Sequence, residues 1–239
     1  MAFNVAIDGP AGAGKSTIAK IVAKEKSFIY VDTGAMYRAM AIYFIKQGIK
    51  ADESEKISAA VDGADVTIEY VNGEQQVLLN GENVTPFLRT EEVGNMASAS
   101  SVNGDVRKKL VELQQKLAAT ANVVMDGRDI GTCVLPNAQV KVYLTASVEV
   151  RAQRRYKELI EKGQEADFEK IKKDIEERDY GDMNRDISPL RQAEDAVLVD
   201  SSDLTIEESA KAILELIDKK LESSLIGESS GTVEIILNE

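Results

Sequence analysis

The chain is 239 residues long, 44% hydrophobic and 29% charged, which is enough for one substantial α/β core with a small insertion and short for two independent domains. Its formal net charge of −12 opposes non-specific attachment to nucleic acid polymers or anionic membranes, so any anionic ligand must meet a local basic site. Histidine is absent and Cys133 is the only cysteine; this excludes intramolecular disulfides and the usual Cys/His zinc sites, removes the usual general base, and fits a reducing cytoplasm.

In chain order, Asn4 to Asp8 is a short β-prone run. It leads at once into a glycine-rich turn, unlike a secretory signal. No apolar run approaches the ~18 residues of a membrane span. Lys15 to Glu25 carries Ile18, Ile21 and Val22 at helical spacing. A second buried strand, Phe28 to Val31, precedes a helix from about Gly34 to Gln47 with Met36, Met40, Tyr43 and Phe44 on one face. Strand–helix alternation of this kind predicts a parallel sheet with crossover helices.

From Asp65 to Val84 the period changes to that of strands. VTIEYV and QQVLL flank Asn72-Gly73, the signal of a type I′ hairpin turn, so a small antiparallel insertion is expected here. Helical patterns return over about Arg89 to Ser101 and Val106 to Ala119, and NVVMD and VKVYL read as two further core strands. The charged stretch from Ser147 to Tyr180, with Arg151, Arg154 and Arg155, reads as two exposed helices broken at Gly163. Ala196 to Asp200 is a last strand. Thr205 with Glu208 forms a capping box for a final amphipathic helix to about Glu222. Beyond Leu225 the tail holds one β-like run, VEIIL, with no place in this scheme.

Chemistry enters with Gly9-Pro10-Ala11-Gly12-Ala13-Gly14-Lys15-Ser16, which fits G-x-x-x-x-G-K-[ST] between a strand and a helix. Glycines let the backbone curl so that its N–H groups face phosphate oxygens, and the helix N-terminus adds a favourable dipole. Lys15 would reach the β- and γ-phosphates of a nucleoside triphosphate, and the Ser16 hydroxyl would ligate magnesium. A glycine-rich turn with an incidental lysine is the bland alternative, and the flanking strand and helix argue against it. No guanine-reading N-K-x-D occurs, which disfavours a GTPase. The loop itself identifies only the donor.

Several further motifs follow in order: DTGAMYR at Asp32 to Arg38, LRTEEV at Leu88 to Val93, DGRDIGT at Asp126 to Thr132, and ERDYGDMNR at Glu177 to Arg185. With GPAGAGKST they make the chain resemble the bacterial cytidylate kinase family from about Phe3 to Glu222. The resemblance implies a three-layer P-loop α/β fold: a central parallel sheet of about five strands flanked by helices, an antiparallel insertion that binds the monophosphate, and a helical lid. It divides 1–224 into a core (1–61, 105–146 and 186–224), an insertion of about 62–104 and a lid of about 147–185, leaving 225–239 as a tail. It also implies transfer of the γ-phosphoryl group of ATP to CMP or dCMP, with Mg2+, by a cytoplasmic monomer that engages no nucleic acid polymer and no membrane.

Carried residue by residue, the resemblance puts ATP on the glycine loop, Thr17 and Arg154. It puts the acceptor on Asp32, Thr33, Tyr37, Arg38, Ser98, Arg107, Arg128, Asp129, Arg178, Asp182 and Arg185. Catalysis falls to Lys15, Arg128, Asp129 and Arg185, and the metal to Ser16 and Asp126. Arg38 and Arg128 suit a phosphate clamp, because a planar guanidinium bonds two oxygens at once. Arg178 and Asp182 match the pentose contacts, although an i, i+4 helix pair would look the same. Ser98, Arg107 and Asp129 suit cytosine, whose amine needs acceptors beside ring atoms that need a donor. Guanine also combines donors with an acceptor, so residue types leave GMP open and the resemblance selects cytosine. Thr33 stands where many members carry serine. Other readings are a P-loop kinase acting on AMP, UMP, GMP or shikimate, and a nucleotide-dependent switch without turnover.

Overall fold

The computed structural model of the protein describes residues 2–229. Strand, glycine turn and helix open the chain as β1 (Asn4–Asp8) and α1 (Lys15–Lys26), followed by β2 (Ile29–Asp32) and α2 (Thr33–Lys46). A short helix, α3 (Ser54–Ala60), was not anticipated from the sequence. The insertion follows as β3 (Val66–Val71), β4 (Glu74–Leu79) and the two-residue β5 (Glu82–Asn83), then α4 (Glu91–Ser100) and α5 (Gly104–Thr120). The core resumes with β6 (Val123–Gly127) and β7 (Val140–Thr145). The charged hairpin is α6 (Val148–Glu161) and α7 (Phe168–Asn184), and β8 (Val197–Asp200) and α8 (Ile206–Ser229) complete the described chain.

Five strands form a parallel sheet in the order β2-β6-β1-β7-β8. Alternation along the strands explains the three layers. On β1, Val5 and Ile7 face a cluster with Ile18 and Val22 of α1 and Ile213 and Ile217 of α8, while Ala6 faces Met36, Met40 and Phe44 of α2 and Leu110 of α5. On β6, Val124 joins the first cluster and Val123 and Met125 the second. Side chains that alternate across a pleat thus bury both faces of the sheet under helices.

The antiparallel insertion β3-β4-β5 turns at Asn72 and Gly73, with φ 54° and 80°. Both angles are positive, as a type I′ turn requires. The capping box on α8 is also present: Thr205 N donates to Glu208 Oε2 at 2.8 Å and Glu208 N to Thr205 Oγ1 at 3.1 Å. The last helix runs past the expected Glu222 to Ser229, and the VEIIL run lies outside the described residues. The expected exposure of both charged helices needs one correction. Arg151 and Asp179 are buried, because they pair with each other where α6 and α7 meet the glycine loop. Among the described residues no helix is long and apolar enough to cross a membrane.

The loop after β1 passes close under β7. A Cβ placed on Gly9, whose φ is 152°, would stand 1.9 Å from the Leu144 carbonyl oxygen. Gly9→Ala should therefore cost roughly 2–5 kcal/mol from strain and overpacking together. The midpoint of urea unfolding measures this, and an unchanged midpoint would contradict the packing described.

Candidate active site

Parallel sheets place their ligand sites beyond the carboxyl ends of the strands, where chain order reverses. Here β1 ends on Asp8, β2 on Asp32 and β6 on Asp126-Gly127, and the register sets Asp8 beside Gly127 and Asp32 beside Asp126. The glycine loop springs from the first of these ends. Gly12 and Gly14 take φ of 78° and 91°, and Thr17 continues into α1, which the loop opens.

Lys15 is buried, and its Nζ donates to the Pro10 carbonyl at 2.7 Å. Burial, then repulsion from Arg128, pulls its ammonium down to about 7 against the attraction of Asp126 and Asp8. An ammonium held at such a disadvantage gains when phosphate oxygens arrive. Next to it, Ser16 Oγ donates to Asp126 Oδ2 and Tyr30 Oη to Asp126 Oδ1, each at 2.9 Å. Burial, then the neighbouring charge of Asp32, raises Asp126 to about 6. The Thr33 hydroxyl, read above as an acceptor contact, is buried and donates to the Asp126 carbonyl at 2.8 Å. It therefore holds the end of β6.

Around Arg38 the structure gathers guanidiniums. Burial, then Arg89, lowers Arg38 to about 10; Asp32 pulls the other way, and Arg178 and Arg128 add to the repulsion. Arg89 was not among the residues singled out by sequence, although it lies in LRTEEV; its Nη2 donates to Asp32 Oδ2 at 2.8 Å. Asp32 also caps α2, accepting from Ala35 N at 2.9 Å. Arg128 Nε donates to Asp182 Oδ2 at 2.8 Å. The expected pentose pair, Arg178 and Asp182, therefore has its carboxylate on Arg128, while Arg178 is exposed.

Arg107 Nη2 donates to Asp129 Oδ2 in a buried ion pair, and its guanidinium lies 5.7 Å from the centre of the Tyr37 ring. Burial raises the Asp129 carboxyl, opposed by Arg107 and Arg185; burial likewise raises the Tyr37 phenol to about 12. Arg185 Nη2 lies 3.8 Å from Asp129 Oδ1 and, among the described residues, has no hydrogen-bond partner although it is buried. Such a donor needs an acceptor, which water or a ligand can supply. Ser98 is exposed on α4, where its carbonyl accepts from Ser101 Oγ at 2.8 Å, one turn before the Ser101 carbonyl that accepts from Arg107 Nη1 at 3.4 Å. Arg154 donates to the Ser201 carbonyl at 2.7 Å, beside a small cavity lined by Ala13, Gly14, Ile18, Leu204 and Thr205.

Asp8 also escaped sequence reading. Its carboxylate is buried and accepts from Ile130 N and Gly131 N, both at 2.7 Å. It thereby holds the unexpected i→i+5 turn of Ile130–Val134, in which Val134 N reaches the Asp129 carbonyl at 3.2 Å. A carboxylate that ends one strand thus fixes the turn that directly follows Arg128 and Asp129.

A glycine loop bearing Lys15 and Ser16, set against the β6 carboxylate on a parallel sheet, places the protein among P-loop nucleotide-binding folds. The particular family comes from comparison. A family model for cytidylate kinase matches residues 5–219. A cytidylate kinase of Caldicellulosiruptor saccharolyticus is 52% identical over 217 residues, covering 91% of this chain and 96% of that one. Those of Ligilactobacillus salivarius and Bacillus subtilis are 50% and 46% identical, each covering 91% of this chain and 97% of its own length. The chain belongs to the cytidylate kinase family.

Burial raises Asp8 from 3.8 to about 6, outweighing the two amide hydrogen bonds; Asp129 adds to the rise and Lys15 opposes it. Between these values the folded protein holds a proton that the unfolded chain has lost. The contribution of Asp8 to stability therefore declines as pH rises from about 4 to 6 and is level above, by an amount on the order of 2–3 kcal/mol. Asp8→Asn removes this titration. The melting temperature of the variant relative to the wild type should rise across that window and then stay flat, and a difference independent of pH would contradict the assignment.

Proposed function

We propose that the chain transfers the γ-phosphoryl group of ATP to CMP and dCMP, with the residues in the following roles. The observation that carries the acceptor assignment is the buried set Arg107, Asp129 and Arg185, in which one guanidinium donor has no hydrogen-bond partner among the described residues. Asp129 can accept from the cytosine amine while a guanidinium donates to the ring acceptors. Uracil presents a carbonyl in place of that amine and would leave the carboxylate facing an acceptor, a mismatch of about 1–3 kcal/mol or roughly 5- to 150-fold.

Arg38, Arg128 and the exposed Arg89 supply positive charge for the acceptor phosphate, with Arg178 beside them as the pentose contact. Their mutual repulsion, written in the lowered Arg38, is relieved by a dianion. On the donor side Lys15 and the loop amides bind the triphosphate, with Arg154 and Thr17 as further donor contacts. Among the described residues no group of three or more His, Cys, Asp or Glu could hold a metal alone, which fits Mg2+, an ion usually bound through one or two protein oxygens plus substrate phosphates. Ser16 Oγ and the Asp126 carboxylate are hard oxygen donors side by side, and they would hold it. When bound, the ion neutralises charge on the β- and γ-phosphates.

An ionised acceptor phosphate is already a nucleophile, so a site without histidine needs no strong base. Alignment and charge stabilisation account for the rate. Movement of the α6–α7 lid, 147–185 in the proposed division, over the core and the insertion would exclude water that could otherwise hydrolyse ATP. We read the enzyme as a cytoplasmic monomer, and its net charge of −12 argues against nucleic acid polymers as partners.

A coupled assay of ADP release over CMP, dCMP, UMP, GMP and AMP tests the substrate. Turnover should be best with CMP and dCMP, and turnover of GMP or AMP with none of CMP would contradict the proposal. Lys15→Ala should lower kcat/KM at least ~100-fold with melting preserved. Asp129→Ala should reduce the CMP/UMP preference toward unity while the KM for ATP changes far less; an unchanged preference removes Asp129 from the base site.

A further inference from the structure

We propose that Arg151 and Asp179 form a crossbar that couples the donor loop to the acceptor site, so that each nucleotide tightens the binding of the other. The inference rests on the donor and acceptor assignments above.

Arg151 lies on α6, and its guanidinium is engaged on three sides. Nε donates to the Ala146 carbonyl at 2.9 Å, Nη1 to the Ala11 carbonyl of the glycine loop at 3.0 Å, and Nη1 and Nη2 to the two Asp179 oxygens at 3.1 and 2.5 Å. Both residues are buried, with 3% and 8% of their surface exposed. The stem of Arg151 also lies against the loop, since a Cβ on Gly12 would stand 3.4 Å from Arg151 Cβ. An arginine so occupied cannot turn toward a phosphate. Its fork instead fixes the loop at Ala11–Gly12 and passes that position to α7.

On α7, Asp179 and Asp182 are three residues apart and so share one side of the helix. Asp182 accepts from Arg128 Nε at 2.8 Å, and its carbonyl accepts from Leu190 N at 2.8 Å. The last turns of α7 are thus tied through Asp179 to the donor loop and through Asp182 to the arginine on the turn after β6. A shift of the loop at Ala11 is transmitted through Arg151 and Asp179 to the helix that holds Arg128. Coupling between two sites is reciprocal by thermodynamic necessity. In the proposed enzyme it favours the ternary complex, in which the triphosphate meets its acceptor rather than water. Asp179 is a positioning residue: it acts through Arg151.

The test is calorimetric titration of the full chain with CMP, with and without saturating magnesium and an ATP analogue whose β–γ bridge is an imido group. The wild type should bind CMP about 5-fold or more tightly when the analogue is present. In Asp179→Asn that ratio should fall below about 2-fold, with the affinity for CMP alone held within about 2-fold. Removing one member of a buried pair can prevent folding, whereas apolar replacement of both is often tolerated. The double variant Arg151→Met, Asp179→Leu therefore severs the same link in a folded protein and should show the same lost ratio. A merely structural pair would lower the melting temperature and leave the ratio unchanged, which overturns the inference, as would a wild type with no enhancement. If the wild type does not bind CMP at all, the acceptor assignment fails and the inference fails with it.

Discussion

Three carboxylates end three strands of one parallel sheet: Asp8 on β1, Asp32 on β2 and Asp126 on β6. All three are buried, and two of them are register partners, so their charges repel in a poorly solvated place. Such an arrangement persists only when each carboxylate meets donors. Asp8 has the Ile130 and Gly131 amides, Asp32 has the Ala35 amide and Arg89, and Asp126 has Ser16 and Tyr30. Those partners are the elements that make a site: the loop after β1, the helix after β2 and the turn after β6. Satisfying buried charge at the sheet edge and assembling donor and acceptor groups are thus one structural problem.

The same logic explains the insertion. Gln75 of β4 donates to the Asp32 carbonyl at 3.2 Å and accepts from its amide at 2.9 Å, and Tyr70 of β3 donates to the Tyr30 carbonyl at 2.9 Å. The antiparallel sheet therefore docks on the backbone of β2, next to the residue that caps α2. An insertion that reads in sequence as an excursion from the core is hydrogen-bonded to the strand that carries Asp32.

Local chemistry was legible in the sequence. Positive φ at Asn72-Gly73, the capping box at Thr205 and the glycine loop all depend on residues within a few positions of one another, and period-2 and period-3.6 patterns located most core elements. What escaped depends on contacts between distant residues. Arg89 meets Asp32 across 57 positions, Asp8 meets Gly131 across 123, and Arg151 meets Ala11 across 140. No spacing rule announces such pairs. Arg151 is instructive, because a charge-rich helix normally implies a solvated face, and only packing at the glycine loop reveals that this arginine is buried. Among the site residues carried over by resemblance, Arg107, Asp129 and Arg185 lie together, Ser98 is exposed on α4, and the Thr33 hydroxyl donates to the Asp126 carbonyl.

The central claim is that donor and acceptor nucleotides meet across this sheet edge, with the base between Arg107, Asp129 and Arg185 and the triphosphate on the Gly9–Ser16 loop. A crystal structure with a bisubstrate compound, adenosine and cytidine joined by five phosphates, tests it most directly. The account predicts cytosine within hydrogen-bonding distance of Asp129 and of Arg107 or Arg185, with the adenosine-side phosphates on the loop amides and Lys15. A compound bound with its cytosine away from Asp129, or with its phosphates off the glycine loop, would contradict it.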